Sequence, residues 1–167
     1  METWSAFYAV TGGASATLLG LLFVAVSINA GIILGAGRES TRRLAEQAFQ
    51  SYSSVILVSL LALFPGIGFK EFGIAILCVT SASAGWVVVR LFMTLSNSAR
   101  GRRVYWLRRY SSSLIGFGLL LFSAARMSLH RGDSRNLLAI STIVLLSTST
   151  LVAWELLVRL SQGKLAE

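Results

Sequence analysis

The side chains of this sequence that could carry chemistry are a few ionisable and amide groups set inside long apolar stretches. Arg90 follows three valines, and Glu155 follows an apolar run that ends in Trp154. Ionisable groups in hydrocarbon are costly, and they typically mark an ion pathway, a proton relay or a pair that joins two helices. Arg90 and Glu155 are therefore the first candidates for a functional role.

Catalysis finds little support in the composition. The one histidine, His130, and the one aspartate, Asp133, share a short polar segment with no nucleophile or second base beside them. Cys78 lies in an apolar run, where a small buried hydrophobe is the expected role. The sequence offers no set of three or four metal ligands, no phosphate-binding loop and no nucleophile elbow. We predict that the protein is not an enzyme and that it carries no cofactor and no metal.

Long apolar runs dominate the chain. Of its 167 residues, 54% are hydrophobic and only 13% are charged, and the mean hydropathy is +0.71. Soluble domains contain about 25% charged residues, whereas a helix that crosses the hydrocarbon core needs roughly 20 predominantly apolar ones. Five windows of that kind follow one another. The predicted helices cover residues 7–35, 44–64, 72–95, 110–129 and 137–160.

These windows predict the fold class. Lipid offers no hydrogen-bond partner to free backbone groups, so apolar spans of this length cross it as helices. We predict an all-α integral membrane bundle of about five transmembrane helices that forms one domain over residues 1–167. Four spans are the alternative if the fourth window, which ends near Arg126, lies at the interface. No Lys or Arg precedes Arg38, so the first window is interpreted as a retained helix rather than a signal peptide.

The distribution of basic residues predicts the orientation, because cytoplasmic loops retain Lys and Arg. One side carries Lys70, Arg126, Arg131 and Arg135, and the other carries Arg38, Arg42, Arg43, the five arginines of the third loop, Arg159 and Lys164. This asymmetry predicts a multi-pass protein of the bacterial inner membrane, with the N-terminus outside and the C-terminus in the cytoplasm.

The third loop holds the densest basic cluster of the chain. Its members are Arg100, Arg102, Arg103, Arg108 and Arg109. Tyr105 and Trp106 stand among them, and such amphipathic rings favour the headgroup zone. Attraction to anionic headgroups, about 1 kcal/mol per basic residue, accounts for the cluster. We predict that these arginines contact anionic lipid headgroups on the cytoplasmic side and that nucleic acid is not a partner; a specific lipid or protein docking site is the alternative.

Small residues recur four apart in the first predicted helix. They form one ridge of Gly12, Ala16 and Gly20 and a second ridge of Ser27, Gly31 and Gly35. Close packing drives helix association in lipid, and small residues permit it. The ridges therefore predict either packing within one bundle or a contact between copies that would make a homo-oligomer.

The same helix carries a family resemblance. The residues concerned are Trp4, Phe7, the run Thr11-Gly12-Gly13-Ala14, the run Gly20-Leu21-Leu22-Phe23-Val24 and the run Ser27-Ile28-Asn29. Over about the first 30 residues the chain resembles small uncharacterised bacterial polytopic membrane proteins, some of which are labelled modulators of the FtsH protease. The resemblance implies a polytopic membrane fold and a regulatory partner role in quality-control proteolysis, with a membrane protease as a partner.

Polar side chains recur near the cytoplasmic ends of the predicted helices. This polar layer comprises Ser27, Asn29, Glu46, Gln47, Gln50, Arg90 and Glu155. Arg90 and Glu155 each lie five residues, or about 7 Å, from the end of a predicted helix, which predicts an ion pair between them. The alternatives are that Arg90 extends to the interface and that Glu155 pairs with Arg159 one turn onward. The layer either joins helices or lines an aqueous path.

Hydroxyl groups form a stripe on the last predicted helix. Ser141, Thr142, Thr148 and Ser149 cluster within about a third of its circumference. Such hydroxyls either bond to carbonyls of their own helix or line a pore between subunits. Together, the sequence features predict a non-enzymatic membrane interaction or regulatory protein that self-associates through small-residue helix faces. The alternative is an oligomeric ion channel lined by the polar layer or the hydroxyl stripe.

Overall fold

The computed structural model describes residues 2–35, 39–65, 69–96, 114–126, 129 and 135–164, and every regular element within them is a helix. The elements are α1 (Glu2–Ile28), α2 (Ala30–Leu34), α3 (Glu39–Leu63), α4 (Phe69–Ser96), α5 (Leu114–Arg126) and α6 (Arg135–Lys164). The all-α class predicted from the sequence is confirmed. The helices α1, α3, α4 and α6 begin earlier than the predicted windows, because polar first turns extend them beyond the apolar run.

The first predicted helix is divided at Asn29 into α1 and α2. Asn29 leaves helical geometry, with φ −109° and ψ 22°, and its side-chain amide donates a hydrogen bond of 2.8 Å to the carbonyl of Ala25. This bond competes with the helical ladder, as short polar side chains commonly do. The Ile33 amide nevertheless bonds to the Asn29 carbonyl at 3.0 Å, so the two segments remain joined by backbone hydrogen bonds.

The helix α3 lies at the centre of the bundle and packs against α1, α2, α4 and α6. Its buried apolar residues recur every three or four positions, at Leu44, Ala48, Tyr52, Val55 and Val58, which is the spacing of one helix face. The helix α1 packs antiparallel to it. The hydroxyl of Ser15 donates to the carbonyl of Tyr52 at 3.0 Å, and Thr11 lies opposite Ser59.

Buried apolar side chains form two clusters along the length of the bundle. The first joins five helices through residues that include Tyr8, Val58, Ile76, Phe117 and Leu138. The second joins α1, α2, α3 and α6 through residues that include Leu22, Ile33, Leu44, Ala48 and Leu156. The early part of α6 therefore packs beside the late part of α3, and the late part of α6 beside the early part of α3, so these two helices are antiparallel.

Two helical segments of the described chain are long and apolar enough to cross a membrane. They are Trp4–Ile28 in α1 and Asn136–Ser161 in α6. The helix α3 has 25 residues, but charged side chains fill its first two turns. The apolar segments Glu71–Gly85 and Leu114–Arg126 are shorter. By length and composition, the structure thus marks two of the five spans that the sequence predicts.

Candidate functional site

Hydroxyl groups line the interior of the bundle. Buried members of this set are Thr11, Ser15, Thr41, Ser51, Ser54, Ser59, Thr80, Ser83, Ser123, Ser141, Thr142 and Ser149. Several donate to a carbonyl one turn earlier, including Thr80 to Ile76 at 2.7 Å and Ser123 to Leu119 at 2.7 Å. Hydroxyls satisfied in this way need no water and can be buried between closely packed helices.

Large apolar side chains cover the outside. Val10 is 71% exposed, Phe92 is 74% exposed, and the other long helices carry residues such as Leu60, Phe122 and Leu151 at 55% or more. Monomeric soluble proteins rarely expose contiguous apolar patches larger than a few hundred Å². Hydroxyls thus share the interior with the two apolar clusters, while large hydrocarbon groups also lie outside. An apolar outer surface is what contact with lipid favours.

Two glycines permit close contacts between helices. A Cβ at Gly12 would lie 2.8 Å from the Cβ of Ser59, so any larger residue would push α1 away from α3. A Cβ at Gly116 would lie 2.9 Å from Cδ1 of Leu145 and 3.5 Å from its Cα, at the contact of α5 with α6. Both glycines therefore serve packing within one chain.

The ridge predicted at Gly12, Ala16 and Gly20 is divided by the structure. Gly12 contacts α3, whereas Ala16 and Gly20 are exposed. A step of four residues advances about 400° around a helix of 3.6 residues per turn, so Gly20 is rotated by about 80° from Gly12. The second ridge is exposed along its whole length, at Ser27, Gly31 and Gly35.

The exposed small residues of α1 and its continuation form a stripe of their own. We name it the outer face of α1, and it comprises Ala9, Gly13, Ala16, Gly20, Ser27 and Gly31. A Cβ at Gly13, Gly20 or Gly31 would have no described atom within 4 Å. Sequence reasoning missed Ala9 and Gly13. Steps that alternate between four and three residues would have revealed them, because that spacing keeps one face in line.

The polar layer is only partly assembled by the described side chains. Asn29 is half-buried, and its Oδ1 is buried without a hydrogen-bond partner among the described residues. Glu46 pairs with Arg42 at 3.0 Å and lines a groove together with Gln50. Ser27 instead faces outward.

The two predicted ionisable residues have different outcomes. Glu155 accepts a hydrogen bond of 2.8 Å from Arg159, one turn onward, which is the alternative pairing. Arg90 lies in α4, and its side chain lies outside the described structure. The ion pair between Arg90 and Glu155 therefore stays a prediction.

The helix register nevertheless brings three members of the layer to one level. The hydroxyls of Ser54 and Ser83 lie 3.2 Å apart. Gln47 is seven residues before Ser54 in α3, and Arg90 is seven residues after Ser83 in the antiparallel helix α4. The hydroxyl of Tyr52 bonds to Thr150 at 3.3 Å. Gln47 is five residues before Tyr52 in α3, and Glu155 is five residues after Thr150 in the antiparallel helix α6. At an equal rise per residue, the backbones of Gln47, Arg90 and Glu155 share about the same depth.

The hydroxyl stripe of α6 is bonded to its own helix. Thr142 donates to Leu138 at 2.8 Å and Ser149 to Leu145 at 2.6 Å. Ser141 and Thr148 donate in the same manner, at 2.9 and 3.0 Å. Ser141, Thr142 and Ser149 are buried and Thr148 is half-buried, so within a single chain the stripe faces other helices.

Several candidates differ from expectation or cannot be located. Cys78 was expected to be buried but is exposed on α4, because an apolar run supplies the outward face of such a helix as well as its inward face. The predicted headgroup arginines Arg100, Arg102, Arg103, Arg108 and Arg109 lie outside the described residues, as do His130 and Asp133.

The described part of α1 borders a groove on each of two sides. One, of about 450 Å³, lies between α1 and α3 and contains Glu46 and Gln50. The other, of about 210 Å³, lies between α1 and α6 and is almost wholly apolar, with Tyr52 and Trp154 in its wall. Leu22 borders both grooves.

Among the described side chains, His, Cys, Asp and Glu form no group of three that could hold a metal ion. Comparison of the chain with protein-family models, curated proteins and solved structures found no match. The surfaces and contacts described above are accordingly the basis for assigning a function.

Proposed function

We propose that the chain is a multi-pass protein of the bacterial inner membrane in which about five helices cross the bilayer. The observation that carries the proposal is the apolar outer surface, on which large hydrocarbon side chains are exposed while hydroxyls are buried between the helices. At about 1.5 Å per residue, the 25 residues of α3 and the 28 of α4 exceed the roughly 30 Å hydrocarbon core.

The directions of the helices support five spans over four. The helix α6 is antiparallel to α3, and two predicted spans, α4 and α5, lie between them in the chain. If α5 stayed at the interface, a single span would separate α3 from α6, and the two would run parallel. An odd number of spans also agrees with an N-terminus outside and a C-terminus in the cytoplasm.

We further propose a non-enzymatic role in which the protein self-associates through the outer face of α1. Small residues let helix backbones approach closely, and in lipid this packing replaces the hydrophobic effect as the driving force. No described atom lies within 4 Å of a Cβ at Gly13, Gly20 or Gly31, which supports the approach of a second helix along this face. The self-associated protein would in turn bind a different membrane protein, and a membrane protease is the candidate for that partner.

The experiment is the oligomeric state of Gly20→Leu in mild detergent, measured by light scattering after size exclusion. The matched control is Gly118→Leu, since Gly118 is also an exposed glycine with no described atom near its Cβ position, but on α5. We expect the wild type and Gly118→Leu to form oligomers and Gly20→Leu to be monomeric. Equal oligomerisation of both variants would contradict the proposed contact.

A channel remains the alternative function, and ion flux separates the two. Protein reconstituted in liposomes is expected to pass no ions under the interaction role. Conduction that changes on substitution of Thr148 or Glu155 would favour the channel. Co-purification of a membrane protease with the wild type, and its loss with Gly20→Leu, would support the regulatory role directly.

A further inference from the structure

We draw no further inference here: the strongest candidate, the apolar groove between α1 and α6 with the hydrogen-bonded hydroxyls of Tyr52 and Thr150 in its wall, carries none because nothing in the structure shows what covers it.

Discussion

The two faces of α1 carry similar small residues in different surroundings. On the side that packs against α3, Gly12 meets Ser59 at a distance that leaves no room for a Cβ, and Ser15 bonds to the backbone of Tyr52. On the outer face, Gly13 and Gly20 meet no described atom. A small residue in a membrane helix therefore has no fixed structural role. Its role depends on whether a neighbour of the same chain already occupies the space beside it.

The largest expected effect is that of filling the space between α1 and α3. Gly12→Val should destabilise the bundle by about 1–3 kcal/mol, because an overpacked contact must open by several tenths of an ångström. The free energy of unfolding can be measured by titration with a denaturing detergent. Gly85→Val is the control, since it changes the same residue type at an exposed site of α4 where no described atom lies within 4 Å of a Cβ. Equal destabilisation by both variants would contradict the close contact at Gly12.

A second glycine contact should give a smaller effect of the same sign. Gly116→Val would meet Cδ1 of Leu145 at 2.9 Å, but that atom is the end of a side chain that can change rotamer. We expect a loss of about 1 kcal/mol in the same unfolding titration, against no change for Gly118→Val. A loss larger than that of Gly12→Val would mean that α5 and α6 are less able to adjust than α1 and α3.

The smallest expected effect concerns hydrogen bonds on the two faces. Ser15→Ala removes a bond between helices and should cost about 0.6 kcal/mol, the average for polar contacts within membrane bundles. Thr17→Val is the counterpart on the exposed side, where the hydroxyl donates to the carbonyl of Gly13 in its own helix at 2.9 Å. The Thr17→Val protein should have the same free energy of unfolding as the wild type. A loss of stability equal to that of Ser15→Ala would indicate that the exposed side has a partner.

The helical class could be predicted from the sequence. Apolar windows of about 20 residues leave helices as the expected element. Distance from the end of a window gives an expected depth, and on that basis the sequence groups Gln47, Arg90 and Glu155. The partner of each side chain could not be obtained in this manner. Glu155 is bonded to Arg159 in the structure because a neighbour one turn away on the same helix is always within reach.

The faces of the helices were harder to predict than their lengths. In a soluble protein, hydropathy separates the inside of a helix from the outside, but here both sides of α1 and α4 are apolar. For this reason Cys78 was assigned to the interior although it is exposed, and Gly12 was grouped with Gly20. The groove that contains Glu46 and Gln50 depends on how α1 crosses α3, which is a property of packing and leaves no periodic signal in the sequence.

The most direct test of the apolar outer surface uses the one cysteine of the chain. Cys78 is exposed about a third of the way along α4 and can take a nitroxide spin label without any substitution. In lipid bilayers, the label's collision rates with oxygen, which concentrates in hydrocarbon, and with a water-soluble nickel chelate report its surroundings. Contact of this surface with lipid predicts frequent collisions with oxygen and almost none with the chelate. Ready collision with the chelate would show that this surface faces water and would contradict the account.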